Sequence, residues 1–245
     1  MTRWKLTLEY DGSPFVGWQR QENGLSVQQV LEEALQKLTG QTVGTIVAGR
    51  TDAGVHALGQ VVHFDLESPR TARELRDGTN FHLRPHPVSV LEVEEAAADF
   101  SARTSAKERQ YLYRILNRRS PPALERGKVW HVPYPLEAAT MHSAAQILVG
   151  HHDFTSFRDS ECQAKSPLRT LDELSVSRMG EEIHITARAR SFLHHQVRNM
   201  VGTLSLVGRG KWTARDVQQA LDAKDRRAGG PTAPPDGLCF LRVHY

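Results

Sequence analysis

The chain reads strand, helix, strand, strand, helix, strand, and then reads that way again. This doubled plan constrains the fold more than any other feature. "WKLTLEY" alternates apolar and polar side chains, the period of a half-buried strand. "SVQQVLEEALQKLTG" then places Val27, Val30, Leu31, Ala34, Leu35 and Leu38 on one helical face. Ser26 and Gln29 have capping-box spacing, and Gly40 stands where a left-handed stop is expected. "GTIVAG" and "GQVVHFDL" read as two more strands, "TARELRDGTNF" as a poorer helix and "VSVLEV" as a further strand. The second half begins with the strand "QYLYRILN". The helix "LEAATMHSAAQILVG" follows, with Met141, Ala144, Ala145, Leu148 and Val149 on one face and Gly150 as its stop. Strands at "DELSVSRM" and "EIHITARA", the helix "SFLHHQVRNMVGTLSLVG" and the final "LCFLRVHY" complete it.

Each half is thus the split βαβ plan of ferredoxin-like folds. The expected class is α+β, with two ferredoxin-like halves, antiparallel sheets and a central active-site cleft where loops from both converge. The boundary is expected within Ser101–Lys107, dividing the chain into 1–104 and 105–245. "AGGPTAPPDG" is a Gly/Pro-rich loop before the last strand.

Between two strands of the first half lies "GRTDAGVHA", residues 49–57. Gly49 and Gly54 have Walker A spacing, but Val55 and His56 stand where Lys and Ser or Thr must bind phosphate and Mg²⁺. Asp52 would also repel phosphate, so that reading fails. Two remain: a plain turn, since Gly and Asp are turn residues, or a catalytic carboxylate on a glycine-stiffened loop with Arg50 as charge partner or substrate contact.

The rest of the composition narrows the class. A chain of 245 residues suffices for one large domain or two small ones. A net charge of +3 is mild, but basic residues cluster between Arg103 and Lys128. There Arg103, Lys107, Arg109, Arg114, Arg118, Arg119, Arg126 and Lys128 face only Glu108 and Glu125. Such a run is either a solvated face or an anion-binding surface. The aromatics in "RQYLYRILNRR" favour nucleic acid, because bases stack on such rings. Cys162 and Cys239 make no disulfide framework, which suits a reducing compartment. No segment reads as a signal peptide or has membrane-spanning length. A cytoplasmic protein is expected.

"FLHHQVRNMVG" sets Leu193, Val197, Met200, Val201 and Leu204 as an apolar stripe, with His194, His195 and Arg198 on a different face of a helix. A metal site would combine this histidine pair with His151 and His152. No carboxylate stands at zincin spacing, and adjacent histidines on a helix point apart, so no metal is expected. Arg198 is then either a surface arginine or the partner of a carboxylate.

"YDGSPFVGWQRQ", "GRTDAGVHALGQVVHF", "RQYLYRILN", "HDFTSFR", "SPLRT", "FLHHQVRNMVG" and "GPTAPPDGL" occur in the order found in the tRNA pseudouridine synthase A family, which the chain resembles over essentially its whole length. It departs at "LRPHPVSVLEV", where the family usually has Leu-Pro and an acidic residue; this touches a local turn and nothing catalytic. The resemblance implies isomerisation of uridine to pseudouridine in the tRNA anticodon stem-loop, at positions 38, 39 and 40. It implies tRNA as partner and a homodimer with a basic cleft; isomerisation needs neither redox chemistry nor an activated water, so no metal or organic cofactor is expected. By motif match Asp52 resembles the catalytic carboxylate and Tyr111 the residue that stacks on the target uracil. Arg198 resembles the partner that orients the aspartate, and Arg50 the side chain that holds the target nucleotide out of the helix.

The chemistry suits these residues. Breaking C1′–N1 develops oxocarbenium character, which a carboxylate can trap or stabilise. Hydrolytic glycosidases pair two carboxylates in order to handle water; an isomerase returns the same uracil through C5 and consumes none, so one can suffice. Attack of Asp52 on C1′ and removal of a sugar proton both remain open. Tyr111 offers uracil a flat apolar face and a candidate general base for the C5 proton. The competing class, an RNA-binding protein without activity, gives no use for a carboxylate facing phosphates.

Overall fold

The computed structural model describes all 245 residues, Met1–Tyr245, as a mixed α+β protein in two compact units. The first comprises Met1–Arg109 and Cys239–Tyr245, the second Gln110–Leu238.

In the first unit, β1 (Thr2–Tyr10) buries every second side chain: Trp4, Leu6, Leu8 and Tyr10. Helix α1 (Val27–Thr39) starts at Ser26, whose hydroxyl accepts the Gln29 N–H, and ends at Gly40 with φ 74°. The capping box is half formed, because the Gln29 side chain turns to Glu33 instead. Leu31 and Leu35 are fully enclosed; sequestering each contributes about 1.5–3 kcal/mol. β2 is only Ile46–Val47. β3 (His56–Leu66) buries consecutive residues from Gln60 to Phe64, the pattern of a strand covered on both faces rather than one. Helix α2 (Ala72–Leu83) carries a complete capping box, Thr71 with Glu74, that the weak apolar pattern of its sequence does not advertise. β4 is Val88–Glu95.

The second unit contains β5 (Glu108–Leu116, entering from the first), β6 (Trp130–His131), α3 (Ala138–Ala145), β7 (Gly150–Asp153), β8 (Leu168–Met179) and β9 (Glu182–Ala189). Helices α4 (Gln196–Gly208) and α5 (Ala214–Ala223) follow. Its strands run β5-β9-β8-β7, with β6 beside β5. Gly180, at φ 62°, turns the β8–β9 hairpin, where Met179 pairs with Glu182. Gly150 begins β7 rather than only stopping the preceding helix, which tightens to a 3-10 turn at Gln146–Leu148.

The last strand, β10 (Leu238–His244), differs from expectation. It is grouped with the first unit, where Cys239 and Phe240 pair in parallel with His56 and Ala57 of β3. That unit's order is β4-β1-β3-β10, with β2 also on β3. Gly59 permits the approach: a Cβ there would lie 2.4 Å from the Leu241 carbonyl oxygen.

Candidate active site

The loop that carries Asp52 lies on the segment after β1. Asp52 pairs as an isolated antiparallel bridge with Gly17, and Trp18 N–H donates to the Thr51 carbonyl at 2.9 Å. Gly17 has φ +113°, and a Cβ on it would sit 2.8 Å from that same carbonyl oxygen. Only glycine therefore allows this contact without displacing the loop. Gly12 makes a second close approach: a Cβ there would lie 2.1 Å from the Val55 carbonyl oxygen, and its N–H donates to His56 Nδ1 at 3.1 Å.

From beneath, Thr51 Oγ1 and the Tyr10 hydroxyl share a buried hydrogen bond of 2.7 Å. Gln60 Nε2 reaches both the Tyr10 hydroxyl and the Gly49 carbonyl. Burial pushes the Tyr10 phenol well above its usual range, so it stays a neutral structural donor and acceptor. Asp52 itself is half-buried, while Arg50, two residues earlier, is exposed. The loop thus fixes the backbone that carries one half-buried carboxylate and leaves one guanidinium exposed. A plain turn would not need a buried side-chain network beneath it.

Tyr111 and Arg198 lie in the second unit. Tyr111, buried on β5, meets Phe192 edge to face at a centroid distance of 5.2 Å. Helix α4 is enclosed almost all round, with Gln196, Val197 and nearly every residue from Asn199 to Gly208 buried. Arg198 is its one charged side chain and is only half-buried. Its Nε donates to the Ala233 carbonyl at 2.8 Å, and Ala233 N–H donates back to the Arg198 carbonyl at 3.1 Å. Close by, Tyr113 is fully buried and its hydroxyl donates to the Pro234 carbonyl. Burial raises that phenol well above its ordinary range although the charge of Arg198 opposes the rise.

A sequence model described as tRNA pseudouridine synthase matches residues 7–104 and 144–245. The tRNA pseudouridine synthase A of Rhodospirillum centenum is 65% identical over 245 residues, covering the whole of both chains. That of Parvibaculum lavamentivorans is 61% identical over the same span, again covering both fully. That of Rhizobium meliloti is 58% identical over 247 residues, with full coverage of both.

The chain belongs to the tRNA pseudouridine synthase family. It is an isomerase that makes pseudouridine from uridine.

Two features of this synthase differ from the sequence reading. Helix α4 starts at Gln196, so His194 and His195 precede it instead of sharing a helical face with Arg198. His195 is its N-cap in the left-handed region, φ 58° and ψ 5°, and the two imidazoles lie with centroids only 3.9 Å apart instead of pointing away from each other. A β-unbranched but non-glycine residue held there stores on the order of 1 kcal/mol or more. Asp159 Oδ2 holds His195 Nδ1 at 2.6 Å, and Asp159 N–H donates to the His194 carbonyl. Burial works to raise the Asp159 carboxyl, but the Glu161 amide and His195 outweigh it and hold it below its usual range. His151 and His152, the other half of the metal reading, bond to Thr170 Oγ1 and the Val149 carbonyl.

The basic cluster also needs correction. Arg109 is buried, its Nε and Nη2 both donating to the Ala48 carbonyl. Arg114 pairs with Glu125 and Glu182, and Arg118 with Glu181. The exposed members are Arg103, Lys107, Arg119, Arg126 and Lys128.

Proposed function

We infer that this synthase isomerises uridines of the tRNA anticodon stem-loop, positions 38, 39 and 40, with Asp52 as its catalytic carboxylate. The observation that carries the assignment is the Asp52 loop. One half-buried acid has its backbone fixed on Gly17 and its underside braced by Thr51, Tyr10 and Gln60. Such rigidity suits a group that must meet its target atom on the sugar, C1′ or a ring proton, in a near-attack geometry. Arg198 serves as the charge that keeps the carboxylate ionised when substrate excludes water. Tyr111 stacks on the target uracil, and Arg50 holds the nucleotide out of the stem.

The finer architecture belongs to the same proposal. Each half is ferredoxin-like. Support comes from the first unit, where β1, α1, β2, β3, α2 and β4 follow in split-βαβ order with β1 between β3 and β4. No helix is long and apolar enough to cross a membrane. The working form is a cytoplasmic homodimer without metal or organic cofactor. Light scattering of the purified protein tests the assembly, and activity after exhaustive chelation tests the cofactor.

The deciding experiment incubates wild type and Asp52→Asn with unmodified tRNA transcripts and maps pseudouridine by carbodiimide–reverse transcription. Wild type should mark the 3′ side of the anticodon stem-loop. Asp52→Asn should bind tRNA and make no product. Turnover by a homogeneous Asp52→Asn preparation, after deamidation is excluded, would falsify the assignment.

A further inference from the structure

The side chain of Arg198 is registered against a segment with no regular structure. Its Nε bond to the Ala233 carbonyl and the return bond from Ala233 N–H to its own carbonyl make its orientation depend on where residues 229–234 lie. That segment is laid along α4. The Pro231 carbonyl oxygen passes so close to Gly202 that a Cβ there would lie 1.7 Å away, and Gly230 N–H donates to Thr203 Oγ1 at 2.9 Å.

Two side chains lock it down. Asn199 is 1% exposed; its Oδ1 accepts from Arg226 Nη2 at 3.0 Å and Thr232 Oγ1 at 2.7 Å, while its Nδ2 donates to the Phe157 carbonyl. Arg226 also donates from Nη1 to the Gly230 carbonyl and from Nη2 to Thr232 Oγ1. All of these acceptors are neutral. Asp225, the preceding residue, gives its carboxylate to Arg227, so the hydrogen bonds of Arg226 go to neutral acceptors. What Arg226 gains here is geometric: a planar fork that spans two points of the segment, the Gly230 carbonyl and Thr232 Oγ1, and ties them to Asn199 on α4.

We propose that Asn199 and Arg226 are positioning residues for the isomerisation. With Thr232 they set the place of the Ala233 carbonyl, and through it the direction of the Arg198 guanidinium. Neither touches the reacting atoms. The proposal rests on the assigned role of Arg198, and the test separates the two.

Single-turnover rates at saturating protein, tRNA dissociation constants and thermal melts are measured for Arg226→Lys, Thr232→Val and Arg198→Lys, and for the two doubles that contain Arg198→Lys. A lysine cannot reproduce the fork, and valine removes one hydroxyl at nearly constant volume. Arg226→Lys should slow the chemical step roughly 10-fold or more and leave tRNA affinity within about 2-fold, the mark of an interaction that matters in the transition state. In the Arg198→Lys background the same change should cost less than about 2-fold, because residues acting through one group are not additive. Full losses that multiply in the double would mean that Arg226 is merely structural. Wild-type rates in both cooperatively melting single variants would overturn the proposal as well. A fully active Arg198→Lys would remove the role of Arg198 itself, whereas a damaged Arg198→Lys beside an unaffected Arg226→Lys would sink the positioning alone. Should Arg226→Lys fail to fold, Thr232→Val decides by the same comparison.

Discussion

At the scale of single residues, the Asp52 loop separates the position of an acid from its reactivity. Its backbone is held by Gly17, where φ is +113° and no side chain fits. Gly17→Ala should cost about 1–3 kcal/mol in stability through left-handed strain and the clash with Thr51. It should also lower the chemical rate of the surviving folded protein, because the loop must shift. A melting temperature and a rate both equal to wild type would mean that the bridge is not what fixes Asp52. Arg50 poses a different question. It is exposed on the same loop, two residues from the carboxylate. A stem uridine is stacked and paired, and extruding it costs a few kcal/mol. Arg50→Ala should therefore lose most activity on a paired target and distinctly less on a stem opened by a mismatch opposite the target uridine. Asp52 variants should be inactive on both. Single-turnover rates on matched and mismatched stem-loops, each normalised to wild type, make the comparison. Equal impairment would move Arg50 from nucleotide extrusion to chemistry or general binding.

At the scale of elements, β5 and β9 are stitched by a charge pair that gives the fold an acid-sensitive seam. Arg114 on β5 donates from Nε and Nη2 to both carboxylate oxygens of Glu182 on β9. Chiefly through that contact, with help from His184 and against the effect of burial, Glu182 is lowered to about 2. A carboxylate with a depressed folded pKa stabilises the protein above its unfolded pKa, and the contribution disappears as pH falls through the folded value. Glu182→Gln should therefore destabilise clearly at pH 7 and much less near pH 2, where the folded carboxylate takes up its proton, read as the difference in urea midpoint from wild type. An equal difference at both pH values would show that packing, not charge, holds the seam. The strands of this seam were legible beforehand, since "QYLYRILN" and "EIHITARA" alternate cleanly and bury Tyr111, Tyr113, Ile115, Ile183 and Ile185. β6 and β7, two and four residues long, carry too few positions to show a period. Helix α5 buries only Val217, Ala220 and Leu221, a thin stripe easily taken for loop. "FLHHQVRN" misled for a different reason. Its apolar spacing suits a helix, but His195 adopts a left-handed conformation that a tertiary contact with Asp159 sustains and that no local propensity encodes. The same limit applies to β10: alternation marks it as a strand and says nothing of its pairing with β3. Asp52, Arg50, Tyr111 and Arg198 stood out by motif, whereas Asn199 and Arg226 look ordinary until their bonds to Thr232 and Gly230 are seen.

At the scale of the whole molecule, the excess positive charge predicts how binding of tRNA responds to salt. Each phosphate neutralised by a lysine or arginine releases condensed counterions, adding about 0.9 to the magnitude of the log–log slope on a duplex. Eight basic residues crowd the chain between Arg103 and Lys128. Arg109 is buried on backbone carbonyls, while Arg114 and Arg118 already face Glu125, Glu182 and Glu181. A phosphate would have to compete with those acids, and an ion pair traded for another releases fewer counterions. The exposed five, Arg103, Lys107, Arg119, Arg126 and Lys128, are the members able to contribute fully. Their combined share of the slope is at most about 4.5, at roughly 0.9 each. Replacing all five with glutamine should flatten the salt dependence by up to that amount and weaken binding at low salt, while the chemical rate at saturating tRNA stays near that of wild type. Replacing Arg118 alone should change the slope by much less than about 0.9. Affinities measured between low and physiological salt for wild type, the fivefold variant and Arg118→Gln decide the matter. A fivefold variant whose slope matches wild type would make this stretch a solvated face and place the phosphate contacts on other basic side chains. A full unit lost on removing Arg118 would show that its pairing with Glu181 gives way to the substrate.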